Sequence, residues 1–277
     1  MVVKQRAYAK INLVLNVLGK RVDGYHEVDF LMASVKLFDL ITVQKNDVDV
    51  VICEKAPFIQ KEKNLAYKAW ILMRDRFKLE GCVKITIDKV IPVSAGMAGG
   101  SADCAATIKC INRLFDLKLS FVEMAKIGAE LGSDVPFCIY SKLSRATGRG
   151  EKIKVISKKL PQTYLVVINP SVGLSTPRVF KNHVITHHHG NIQKCYNAKN
   201  FDDLCRNVHN DLEKSACQLE PKINEIKEYI EEKFDNKLLL SGSGPTILVF
   251  CKNSYEMKKI YRYAKKRYKN SYYTEMR

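Results

Sequence analysis

The stretch Ile91–Leu114, IPVSAGMAGGSADCAATIKCINRL, sets Gly96, Ala98, Gly99 and Gly100 directly before a run with helical periodicity. A pair of glycines costs backbone entropy wherever it is not needed, so it marks either a tight turn or a backbone that another group approaches closely. Residues 82–93, CVKITIDKVIPV, alternate apolar and polar side chains as a strand does. Strand, glycine turn and helix in that order let backbone N–H groups and the positive end of a helix cradle an anion. Ser101 stands where a helix N-cap belongs, and its hydroxyl is a candidate partner for a phosphate. No Gly-Lys-Ser/Thr follows, so this is not a P-loop. The glycine spacing also excludes a dinucleotide fingerprint. For the bare glycines, a turn that serves packing alone is the competing explanation.

Outward from this stretch, short strand-like runs fill the first third: 9–20 (AKINLVLNVLGK), 28–45 and 47–55, each bounded by turn residues. Residues 62–79 carry Leu65, Ala69, Leu72 and Met73 at helical spacing. Helical runs follow over 101–117 and 120–134, the second opened by Ser120 with Glu123 completing a capping box. Residues 135–156 (VPFCIYSKLSRATGRGEKIKVI) are expected as strand and turn. SKKLPQ at 157–162 marks a boundary, after which TYLVVINP begins a second strand and helix set. Residues 219–234 are expected as a helix and 237–252 (KLLLSGSGPTILVFCK) as strand, glycine turn and strand. A basic amphipathic helix closes the chain, with Met257, Ile260, Tyr261, Ala264 and Tyr268 along one side.

The 277 residues suffice for one or two domains with a sizeable core. A composition 46% hydrophobic and 27% charged is that of a globular protein. The net charge of +17 comes from lysines spread along the whole chain, which favours a solvated surface over a dedicated polyanion site. Nine cysteines, an odd number without a C-x-x-C pair, argue against a zinc site or a disulfide framework and for reduced thiols in a cytoplasm. The N-terminal run lacks a cleavage site, and no apolar run approaches membrane-spanning length, so a cytoplasmic protein without a membrane partner is expected. HHHG at His187–Gly190 invites a metal reading, but adjacent imidazoles point apart, and a solvated loop is expected.

Two further stretches decide the functional expectation: AYAKINLVLNVLGKRVDGYHEV at 7–28 and LSGSGPTILVF at 240–250. With the glycine stretch, in which Pro92, Gly96, Gly99, Gly100, Ser101, Ala105 and Ala106 fit the pattern, they resemble the three motifs of the GHMP kinases. GSDVPF at 132–137 and NPSVGLSTPRVF at 169–180 point to the branch that acts on a cytidine-diphosphate-linked polyol. The likeness runs from Ala9 to Phe250. It implies an α+β fold of two domains, 1–157 and 158–277, with mixed and antiparallel sheets packed on helices and the active site in the interdomain cleft. It also implies ATP-dependent phosphorylation of an alcohol in isoprenoid precursor synthesis, with magnesium accompanying the ATP and no protein metal site named.

Residue by residue, the resemblance makes Asp134 the base and Lys10 its charge-stabilising partner. Taken singly, Asp134 reads as a turn or cap residue and Lys10 as a solvated strand end. The ATP-binding positions implied are Asn64 and the run Pro92, Val93, Ser94, Ala95, Gly96, Met97, Ala98, Gly99, Gly100, Ser101 and Ala102. Tyr25, His26 and Phe180 match residues around the cytosine, and Asn12 and Thr176 match further substrate contacts. Ser241, Gly242, Ser243 and Gly244 form the glycine turn of the second domain. Met97 replaces the usual leucine, Ala95 and Ala98 replace glycines, and Ala102 stands where a second serine often sits. Small residues still admit a close guest, but no side-chain role is left at 102. Homoserine, mevalonate or sugar kinases of the same family are the nearest rivals, opposed by DGYH and STPRVF; a basic nucleic-acid-binding protein is the rival of another class. The sequence does not indicate an oligomeric state.

Overall fold

The computed structural model describes residues 1–186 and 188–277. The chain opens with two long strands, β1 (Val2–Lys20) and β2 (His26–Asn46). Next come β3 (Val50–Ile52), α1 (Leu65–Phe77), β4 (Cys82–Asp88), α2 (Gly99–Leu114), α3 (Phe121–Leu131) and α4 (Val135–Tyr140). Then follow β5 (Ser144–Gly148), β6 (Lys152–Val155), β7 (Tyr164–Ile168), α5 (Thr176–Asn182), α6 (Ile192–Tyr196), α7 (Phe201–Asn207) and β8 (His209–Asn210). The chain ends with α8 (Glu213–Leu219), α9 (Lys222–Glu231), β9 (Leu238–Leu240), β10 (Ile247–Cys251), α10 (Ser254–Arg267) and β11 (Ser271–Glu275). Two compact units interleave along this order. Residues 1–9, 38–93 and 98–141 form the first, and residues 10–37, 94–97 and 142–277 the second.

In the first unit the far half of β2 pairs antiparallel with β4, from Leu40 opposite Asp88 to Asn46 opposite Cys82, and β3 adds in parallel on β4. Val83, Ile85 and Ile87 of β4 are buried while their neighbours are not, the period-two pattern of a half-covered strand. Helices α1, α2, α3 and α4 pack on one another. The buried side of α1 is Ala66, Ala69, Trp70 and Met73, one residue round from the expected stripe, and Leu65 and Leu72 lie at its margin. α3 starts with the expected capping box of Ser120 and Glu123. Residues 135–140 are helical rather than extended. Pro136 fits the first turn and Ser141 ends the helix in the left-handed region, whereas a short run buried on all sides has no periodicity that separates strand from helix.

In the second unit the near half of β1 runs parallel to β8, and the near half of β2 pairs with β5, which pairs with β6. A separate antiparallel sheet has the order β11-β7-β10-β9. Every residue of β10 is buried, and α9 and α10 pack against this sheet. Ile223, Ile226 and Ile230 form the buried stripe of α9, and Met257, Ile260 and Ala264 that of α10. The C-terminal helix is therefore docked on the sheet, as its periodicity predicts.

Candidate active site

The sequence 9–17 builds one wall of the second unit. Successive strand side chains point to opposite faces, so Lys10, Asn12 and Asn16 share one face of β1, and Ile11, Leu13, Leu15 and Val17 take the other; all are buried. Lys10 is only 5% exposed. Its Nζ donates to Asn12 Oδ1 at 2.7 Å. Asn12 Nδ2 is buried without a partner. A buried donor left unpaired costs about 1–3 kcal/mol, which makes this amide a candidate ligand contact.

Two distant glycine turns meet beside Lys10. The Lys10 N–H donates to Met97 O at 3.2 Å, and Ser241 Oγ donates to Gly96 O at 3.2 Å. A Cβ on Gly96 would lie 2.0 Å from Ser241 O, and one on Gly242 would lie 2.8 Å from Gly96 O and 3.4 Å from Lys10 Nζ. The two backbones therefore touch in a way that only glycine permits. Asn210, buried, donates from Nδ2 to both Leu240 O and Gly242 O at 2.8 Å and so fixes the second turn. Thr176 Oγ1 lies 2.7 Å from Ser243 Oγ, which places one candidate substrate residue on that turn. Ring centroids of His26 and Phe180 are 5.1 Å apart, and the Arg149 guanidinium sits 4.8 Å over the exposed ring of Tyr25. Burial, followed by the Lys20 charge, lowers the His26 pKa below its ordinary 6.5, so this imidazole is neutral at physiological pH.

Ser94, Gly96 and Ala98 have φ of 54°, 70° and 54°, with Ala95 and Met97 outside that region between them. Alternation of this kind turns successive N–H groups into an anion-binding concavity. α2 follows at once. It begins at Gly99 with Ala98 as its N-cap, so Ser101 is not the cap that its position suggested but a residue of the first turn. The first N–H groups of a helix lack intrahelical partners and carry the positive end of its dipole.

The first unit also holds Asn64, Pro92, Val93, Ala102 and Asp134. Asn64 is buried and caps α1, its Oδ1 accepting from the Ala66 N–H at 2.9 Å. Ala102 is buried in α2 and has no polar role. Asp134 occupies the N-cap position of α4 but makes no side-chain capping bond. Its turn packs closely on α3, because Gly128 admits Val135 so closely that a Cβ there would be 2.6 Å from Val135 Cγ1. Ser101 Oγ lies 3.9 Å from the Cβ position of Gly132, bringing the glycine stretch to the turn that carries Asp134.

The model of the GHMP kinases N terminal domain matches residues 64–142, and that of the GHMP kinases C terminal region matches residues 192–270. The chain belongs to the GHMP kinase family. As a GHMP kinase it is an ATP-dependent enzyme acting on a small molecule. It is 40% identical over 267 residues to 4-diphosphocytidyl-2-C-methyl-D-erythritol kinase of Bacillus velezensis, covering 94% of this chain and 92% of that one. Among solved structures it is similar to 4-(cytidine 5'-diphospho)-2C-methyl-D-erythritol kinase, with a TM-score of 0.85 at 25% identity over 99% of both chains. Homoserine kinase from Cytophaga hutchinsonii shares the fold, with a TM-score of 0.75 at 18% identity over 100% of this chain and 94% of that one.

Several residues of this GHMP kinase site escape sequence reasoning. Asn16 exchanges two hydrogen bonds of 2.9 Å with the Gly190 backbone, and Asn210 holds the second glycine turn. The only sequence signal for Asn16 is an asparagine inside an apolar strand, and Asn210, in a polar run, has none. Of the histidine run, His187 lies outside the described residues, and His189 Nδ1 lies 3.0 Å from Asp211 Oδ2. Lys89, Asp39 and Asp103 form a buried ionic cluster that no motif announces.

Proposed function

We propose that this GHMP kinase transfers the γ-phosphoryl group of ATP to the 2-hydroxyl of 4-diphosphocytidyl-2-C-methyl-D-erythritol, giving the 2-phosphate and ADP in non-mevalonate isoprenoid precursor synthesis. The observation that carries the substrate is 40% identity over 94% of the chain to a kinase of that name. Asp134 takes the hydroxyl proton, the freed oxygen attacks the γ-phosphorus, and the bond to the β–γ bridging oxygen breaks, releasing ADP. Lys10, buried and bonded to Asn12, supplies positive charge to the phosphoryl group in transfer. The N–H groups of residues 94–101 hold the phosphates, and Asn64 lies on the ATP side. Neutral His26 and the rings of Tyr25 and Phe180 receive the cytosine, with Asn12 and Thr176 contacting the rest of the substrate.

Magnesium accompanies the ATP. Among the described residues no group of three or more His, Cys, Asp or Glu side chains is placed to hold a metal ion. The ATP phosphates would provide most of the ligands of the magnesium. The division into domains 1–157 and 158–277 is supported by the family matches, which fall one on each side of residue 157, whereas by compactness residues 10–37, 94–97 and 142–157 group with the second unit. A cytoplasmic location is supported by nine cysteines that form no disulfide among the described residues.

ADP release with the cytidine substrate, mevalonate or homoserine tests the assignment. Turnover with the cytidine substrate alone is expected, reduced by about 10²–10⁴ in Asp134→Asn, the range typical for loss of a general base. Turnover with another alcohol instead would sink the cytosine pocket, and an unimpaired Asp134→Asn would sink the base.

A further inference from the structure

At the foot of the glycine stretch, in the first unit, three charged side chains are buried together. Lys89 Nζ lies 2.5 Å from Asp39 Oδ2 and 2.8 Å from Asp103 Oδ2, with Lys89 7% exposed, Asp39 0% and Asp103 4%. Asp39 Oδ1 also accepts the N–H groups of Val90 and Ile91. The places of these residues in the chain give the cluster its meaning. Lys89 to Ile91 is the stem by which the backbone enters the glycine stretch, and Asp103 lies on α2, by which it leaves. One ammonium thus ties the entry stem to the exit helix, while Asp39 of β2 anchors the stem. The ammonium also sits under the first turn of α2, because a Cβ on Gly99 would be 3.0 Å from Lys89 Nζ.

Buried ionic groups add little to stability compared with apolar packing of the same volume. Here the cluster has two carboxyl groups for one ammonium, and Asp103 Oδ1 has no partner. General stability is therefore a poor explanation for it, and its location suggests a better one. Backbone N–H groups grip a phosphate well only when their positions are set beforehand; a loop whose ends can drift must be ordered at each binding event.

We propose that Lys89, Asp39 and Asp103 are positioning residues that clamp the two stems of the glycine stretch and preset the span of the phosphate cradle. The clamp rests on the assignment of residues 92–102 to ATP. It acts on nucleotide affinity, leaving the cytidine-substrate side untouched.

Calorimetric titration of ADP into the full-length protein, with ATP and cytidine-substrate KM values beside it, tests the clamp. Lys89→Met removes the tie and is expected to weaken ADP and raise the ATP KM about tenfold, with the cytidine-substrate KM within twofold of wild type. Asp103→Leu cuts the tie but leaves Lys89 and Asp39 as a matched pair, so it keeps the measurement possible if Lys89→Met does not fold; it has the same expected effect. Asp103→Asn keeps an oxygen for Lys89 and is expected to bind ADP within threefold of wild type. If folded Asp103→Leu also binds ADP within threefold, or if both KM values rise together, the clamp is refuted and the cluster is only structural. Ser101→Asp separates the two failures by placing a negative charge in the first turn of α2. Loss of ADP binding there with normal Asp103→Leu refutes the clamp alone, whereas ADP binding unchanged by Ser101→Asp overturns the assignment of the stretch to ATP and the clamp with it.

Discussion

Gly96 and Gly100 stand four residues apart in one motif, yet they are glycine for different reasons. Gly96 has φ +70° and is closed in by the backbone of the second glycine turn, with Ser241 O 2.0 Å from where its Cβ would be. Gly100 lies in the first turn of α2, and its Cβ would meet only Leu65 Cδ1, at an ordinary 3.7 Å. At Gly96 the protein itself is the close neighbour. At Gly100 nothing in the fold asks for glycine, although glycine in a helix is less favourable than alanine by about 1 kcal/mol. The difference separates packing from ligand approach, the two explanations that the bare sequence leaves level.

The widest separation between the two sites is expected in stability. Gly96→Ala combines a left-handed backbone, about 1–2 kcal/mol for a residue with a Cβ, with overpacking of roughly 1–3 kcal/mol. A fall in melting temperature of about 5–15 °C, or failure to fold, is expected. A melting curve equal to wild type would mean that the two turns are not in contact as described. Gly100→Ala should do the reverse, raising the melting temperature by about 1–4 °C while weakening ATP about tenfold as the new methyl meets a phosphate. A stabilised Gly100→Ala that binds ATP normally would place both glycines in the packing class and remove the argument for close approach at this position.

How much of this is visible in the sequence follows from the distance over which each feature is decided. The capping box of Ser120 and Glu123, the alternation along β4 and the strand, turn and strand around Ser241–Gly244 depend on neighbours in the chain, and all three are as expected. The start of α2 is not, because Ala98 takes a left-handed conformation that favours glycine and the helix begins before Ser101. α4 was expected as a strand because complete burial erases periodicity. For the site, resemblance named Lys10, Gly96, Ser241 and Gly242, and the structure brings these four together in one unit. Neither resemblance nor pattern could name Asp39 as the partner of Lys89, since fifty residues separate them and a lone aspartate in a strand carries no signal.

A pH-dependent effect is expected at the other end of the motif, where Lys89 lies under the first turn of α2 and bonds to Asp103 of that helix. Burial pushes the Asp103 carboxyl up to about 8; the Lys89 ammonium opposes this and the Asp39 carboxylate adds to it, with the Cys53 and Cys104 thiols also nearby. Folded protein therefore keeps a proton that the unfolded chain releases near 3.8. Where the folded state binds more protons, stability falls as pH rises, here between about pH 4 and 8. Asp103→Asn cannot titrate, so between pH 6 and 8 wild type should lose about 2 kcal/mol more than the variant in urea unfolding. Parallel pH profiles would mean that Asp103 is ionised throughout and the cluster carries a net negative charge. That charge would sit beneath the helix terminus proposed to receive the phosphates and would oppose them. A proton held on Asp103 instead leaves the cluster neutral, so that the N–H groups around Gly100 face an incoming phosphate without a buried anion behind them.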